Sequence, residues 1–120
     1  MPHVVLEGAV DLRQLGTKFE PMFRRWGDDL LKIEQLYVER QGGEVLLDTL
    51  VVESGHRQHF FIQLTRRQEG AVVRLLPQTD PEKTDGVKRA LAVVAAWVCG
   101  LTPGSCRYGS TNLGGFLEPV

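Results

Sequence analysis

The apolar positions of this chain change period several times, and each change predicts an element. His3 to Ala9 reads as a short strand. Leu12, Leu15, Phe19, Met22, Phe23 and Trp26 then recur mostly at three- and four-residue steps, the apolar face of a first helix with Asp11 as its N-cap. Pro21 falls inside that stretch without an N–H to give, so it predicts a kink or a split into two short helical pieces. Trp26-Gly27-Asp28 ends it.

From Leu30 to Leu76 the pattern is β, in the runs LLKIEQLYVER, EVLLDTLVVE, RQHFFIQLTRR and AVVRLLP. Gln41-Gly42-Gly43, Ser54-Gly55-His56 and Gln68-Glu69-Gly70 separate them, each with a glycine where a tight hairpin needs positive φ. This predicts a four-stranded antiparallel meander. A second helix opens with Asp80 as cap, Pro81 in the first turn and Glu82 against the dipole. Val87, Ala90, Leu91, Val94, Trp97, Val98 and Leu101 form its buried seam. The fold class expected is therefore α+β: a four-stranded antiparallel meander sheet, two helices packed mainly on one face, and a short N-terminal strand. At 120 residues this is one domain, 1–120, with a Gly-rich tail over 104–120.

The strands are apolar on both faces. Phe60, Ile62 and Leu64 point one way while Phe61 points the other; Val45, Leu47 and Val51 oppose Leu46, Leu50 and Val52. A sheet with one solvated face alternates more cleanly, so two helices leave a face for a second copy to cover, and a homo-oligomer is expected.

Composition narrows the classes. A net charge of -1 and 42% hydrophobic residues describe an ordinary globular chain. The whole-chain field does not attract phosphate, and no local basic patch stands out in the sequence, so no nucleic-acid partner is expected. The apolar start is interrupted by Glu7 and Asp11, and the run Ala90 to Leu101 falls short of the roughly 20 residues of a membrane span, so neither a leader nor a membrane partner is expected. Cys99 and Cys106 lack CxxC or disulfide-framework spacing, which favours a reducing, cytoplasmic setting.

Candidate chemistry is sparse. His56 and His59 stand three apart on a strand, on opposite faces, and no HExxH or Cys/His cluster accompanies them, so no metal and no cofactor is expected. No GxSxG elbow is present, and YGSTNLGG lacks the GK[ST] of a phosphate loop. Arg24-Arg25, Arg66-Arg67 and Lys88-Arg89 read as solvated surface. Arg40, Arg66 or Arg74 has the fork to bind a carboxylate. Glu39, Glu44, Asp48 and Glu53 read as surface and turn charge.

Pro2 stands apart, because a freed amino-terminal proline in an apolar setting is a base near neutral pH. Pro2 followed by HVVLEG, the first helix and the late stretch NLGGFL resemble the tautomerase superfamily. That resemblance implies small α+β subunits in trimers or hexamers, with Pro2 as general base acting on a small keto or enol acid. An arginine such as Arg40 would then hold the substrate carboxylate. The chain departs from the family's doubled βαβ plan, and Ala9 and Val10 stand where the smallest members place an arginine. The leading expectation is accordingly a non-enzymatic ligand- or protein-binding module that self-associates, with a Pro2-dependent tautomerase as its rival.

Overall fold

The computed structural model describes residues 1–117. β1 (His3–Gly8) leads into α1 (Leu12–Lys18). Five strands follow in hairpin succession: β2 (Met22–Trp26), β3 (Asp29–Val38), β4 (Glu44–Glu53), β5 (His56–Arg67) and β6 (Gly70–Leu75). α2 (Asp85–Gly100) and β7 (Cys106–Thr111) come last, and the final three residues of the tail expected over 104–120 lie outside the described residues. All seven strands join one antiparallel sheet in the order β2-β3-β4-β5-β6-β1-β7. The four-stranded meander expected from the sequence is thus corrected to a seven-stranded sheet. The additional strands come from the N-terminus, from the segment read as the rest of helix one, and from the tail.

The error at β2 has a local cause. α1 stops where the Phe19 N–H donates to the Leu15 carbonyl at 2.9 Å and Phe19 itself turns extended (φ -69, ψ 135). Beyond it Pro21 cannot donate to a helical ladder, whereas its missing N–H costs nothing just ahead of an edge strand. Gly27, at φ 59, then closes a two-residue turn that pairs Trp26 with Asp29. Phe19, Met22 and Trp26 still pack on the core, but Phe19 from the end of α1 and the other two from a strand.

The sheet curls as a half-barrel around α2, which touches β1, β3, β4, β6 and β7. Leu6, Leu31, Ile33, Leu47, Phe60, Ile62 and Leu64 share one buried cluster with Val87, Leu91, Val94 and Val98 of the helix. Each such side chain contributes about 1.5–3 kcal/mol by leaving water. Trp97 is only half-buried, and Leu101 is 37% exposed, so the seam read for α2 runs too wide at its C-terminal end. β1 is pressed between β6 and β7 so closely that a Cβ on Gly70 would stand 1.8 Å from the Leu6 carbonyl oxygen.

The start of α2 is also later than Asp80-Pro81. Thr84 is its N-cap and accepts from the Val87 N–H at 3.3 Å. Glu53, at the end of β4, accepts the Thr84 hydroxyl and, at 2.9 Å, the Gly86 N–H. A carboxylate from the sheet thereby completes the helix N-terminus, where negative charge is stabilised. Cys99 and Cys106 are bonded, tying the end of α2 to the start of β7. This corrects the expectation of unpaired cysteines and removes the ground on which a reducing compartment was inferred. Among the described residues no helix is long and apolar enough to cross a membrane.

Candidate functional site

Neither residue of the tautomerase constellation lines the cleft described below. Pro2 is buried at the start of β1. Asn112 clamps this end: its Nδ2 donates to the Met1 carbonyl at 2.7 Å and its Oδ1 accepts from the His3 N–H at 3.0 Å. Arg40 is exposed in the turn between β3 and β4. From β1, the sheet order puts β6, β5 and β4 between the Pro2 end and β3, so the structure does not bring the two together.

Other sequence candidates hold parts of the structure together. Arg66 Nη2 donates to the Gly42 carbonyl at 3.1 Å, and Arg74 Nε donates to Gln63 Oε1 at 3.0 Å. His59 pairs with Asp48 on the outer face of the sheet, while His56 is exposed beside the β4–β5 turn. Glu39 accepts from the Gln41 N–H at 2.9 Å and the Gly43 N–H at 3.1 Å. Those two backbone donors, with a smaller contribution from the Arg13 charge, hold its carboxyl below the ordinary value despite some opposing desolvation. Among the described residues no three His, Cys, Asp or Glu side chains gather as a metal site.

A cleft of about 590 Å³ lies elsewhere, between the edge strand β2 and the outer flank of α2. Arg24, Arg25 and Trp26 line it from β2, Arg89, Val93 and Trp97 from α2, and Gly115 and Phe116 close it from the turn after β7. Register explains the β2 contribution. Met22 and Arg24 pair with buried Ile33 and Leu31, so Met22, Arg24 and Trp26 face the helix while Phe23 and Arg25 face away. On α2, Arg89, Val93 and Trp97 succeed one another at four-residue steps along one flank.

The electrostatics of this cleft are one-sided. Three arginines line it, and among the described residues no carboxylate does. Arg25 and Arg89 make no ion pair among the described residues; Arg89 lies over the Trp26 ring at 5.5 Å. Across the cleft Lys88 lies 6.0 Å from the Phe116 ring, and Phe19 meets Trp97 edge-on at 5.8 Å. Indole and phenyl rings beside arginines without an acidic partner suit a ligand that is both flat and negatively charged. A volume near 590 Å³ is of small-molecule size.

The arginines and tryptophans of this cleft were each legible in the sequence but not as one group. Arg24-Arg25 and Lys88-Arg89 read as separate solvated pairs, and Trp26 and Trp97 as core. The signal lay in adjacency: each basic pair has a tryptophan two residues or two helical turns away.

No family model matches the chain, and no solved structure matches it. Over 68 residues it is 28% identical to a tRNA (guanine-N(7)-)-methyltransferase of Aquifex aeolicus (strain VF5). That similarity covers 57% of this chain and 23% of the relative, so the chain spans about a quarter of that protein's length.

Proposed function

We propose that this protein is a non-enzymatic binding module whose β2–α2 cleft takes an organic anion carrying a planar ring. The observation that carries the reading is the convergence of Arg24 and Arg89, with Arg25 beside them in the lining, on a cleft walled by Trp26, Trp97 and Phe116, with no carboxylate among the described lining residues. Guanidinium groups there can engage a phosphate or carboxylate in bidentate fashion while the rings take the flat portion. The side chains that line it among the described residues are cationic, aromatic and aliphatic, which suits binding of such an anion. Because the Aquifex aeolicus relative is a tRNA (guanine-N(7)-)-methyltransferase, nucleobases are among the rings to try.

The chain's two tryptophans both line the cleft, so intrinsic fluorescence reports on it directly. Titration with nucleoside monophosphates and with aryl carboxylates should give saturable changes, and Arg89→Gln should weaken them about tenfold, as expected for one charge-assisted pair. Absence of a saturable response to every ring-bearing anion rejects the reading.

The proposal extends to self-association through the outer face of the sheet. Leu30, Leu46, Leu50 and Val52 are half-exposed there, opposite both helices. That apolar row is what the same face of a second copy would cover. Sedimentation equilibrium should show a dimer that Leu50→Glu converts to monomer; a wild-type monomer at high concentration rejects it.

A further inference from the structure

Each cation–aromatic pair found among the described residues belongs to the β2–α2 region. Arg89 lies over Trp26 at 5.5 Å, Lys88 over Phe116 at 6.0 Å, and Arg25 over Phe23 at 5.8 Å. The first two pairs border the cleft. The third is on the other face of β2, because Phe23 and Arg25 alternate with Arg24 and Trp26 along the strand. Arg25 joins the two sides, since it both lines the cleft and covers Phe23. Phe23 is 48% exposed, an unusual investment for a phenylalanine on a short strand.

β2 is also the end of the sheet, so its outward row of N–H and C=O groups has no neighbouring strand. The free edge therefore separates two ring platforms, one inside the cleft and one outside, with arginines at both. A mononucleotide-sized ligand uses only the inner one. The arrangement fits a longer molecule that presents flat rings in succession on an anionic backbone.

We propose that the cleft's occupant is a single-stranded nucleic acid that crosses the free edge of β2, stacking bases on the Trp26 and Phe23 platforms while Arg24, Arg25, Lys88 and Arg89 meet its phosphates. This rests on the cleft reading above and names the ligand class for it. Every base has a π-face, so stacking of this kind tolerates sequence, and the net charge of -1 confines attraction to this one patch. A duplex hides its base faces and cannot use the platforms. An acidic peptide offers the charge without the rings.

The test is fluorescence anisotropy with end-labelled oligouridylate and oligodeoxythymidylate, each about eight nucleotides long, and with a duplex of that length. Both single strands should bind, the duplex at least tenfold more weakly, whichever sugar is preferred. Because single strands lose about 0.7 in log–log salt slope per phosphate contact, four cations set a ceiling near -3, and Arg25→Gln should reduce the slope by about 0.7. Phe23→Ala should weaken the oligonucleotide about tenfold and the mononucleotide by much less, whereas Arg67→Gln, on the far side of the sheet, should change neither.

An oligonucleotide bound no more tightly than a mononucleotide overturns the inference while leaving the cleft reading in place. So does a Phe23→Ala effect equal for both ligands, a duplex preference, or displacement by an acidic peptide with no oligonucleotide binding. Loss of every ring-bearing anion from the panel would instead remove the cleft reading itself.

Discussion

Arg89 of α2 lies with its guanidinium carbon 5.5 Å from the centroid of the Trp26 ring on β2, joining helix and edge strand across the mouth of the cleft. The contact is half-exposed, so it contributes about 0.5–1 kcal/mol to the fold. On the proposed ligand its effect is larger, because Arg89 makes no ion pair among the described residues and its guanidinium fork is available to an anion. Arg89→Lys should therefore keep thermal stability within a few degrees and still lose ligand affinity, since an ammonium cannot offer the planar fork. Calorimetric Tm and tryptophan titration on the same sample separate the two effects; equal affinity for the lysine variant would deny the fork its role.

Glu53 and Thr84 act together at the N-terminus of α2, about one turn before Arg89. The carboxylate accepts the Thr84 hydroxyl and the Gly86 N–H, while Thr84 itself accepts from Val87. Removing the acceptor strands a helix-terminal N–H in a part-buried position. Glu53→Ala should cost about 1.5–3 kcal/mol, and Glu53→Gln less, because the amide oxygen keeps an acceptor but loses the charge at the dipole. Urea unfolding midpoints give both values, and an alanine variant as stable as the parent would show that water replaces the carboxylate.

What the sequence made legible follows from range. The runs between Leu30 and Leu76 pair with their neighbours through short turns, so local alternation and Gly42, Gly55 and Gly70 carry the information for β3 to β6. β1 pairs with β6 and β7, and its partner Thr111 lies more than one hundred residues away. No local signal announces that. β2 was misread because Phe19, Met22 and Trp26 fit a helical period, and only pairing with β3 decides against it. The cleft suffers from the same limit: Arg24 and Arg89 meet through tertiary packing, so neither basic pair could be read as half of a site.

The Cys99–Cys106 bond closes a short loop between α2 and β7, next to the hydrogen bond in which the Ser105 carbonyl accepts the Ala9 N–H at 2.9 Å. For a loop of this size the entropic contribution is about 2–3 kcal/mol. Reductant should lower Tm by roughly 10 °C in a domain of this length, and the double variant Cys99→Ala/Cys106→Ala should start lower and ignore reductant. A Tm indifferent to reductant, with mass showing two free thiols beforehand, would contradict the bond.

Glu39 supplies a pH signature. Its carboxylate accepts the Gln41 and Gly43 N–H groups, and these bonds, ahead of the Arg13 charge, lower its pKa from 4.5. A depressed folded-state pKa means that the ionised form stabilises the β3–β4 turn above the unfolded value, and that this contribution disappears as pH falls through the folded value. The turn matters because Gly42, at φ 77, packs beneath the aliphatic stem of Arg13 from α1. Carboxyl NMR titration should put Glu39 below the other exposed glutamates. Amide exchange at Gln41 and Gly43 should accelerate below pH 4.5 in the wild type, but in Glu39→Gln the additional acid-dependent loss should vanish. An unshifted Glu39, or acid-induced opening that persists in the glutamine variant, would assign the turn's stability to its backbone bonds alone.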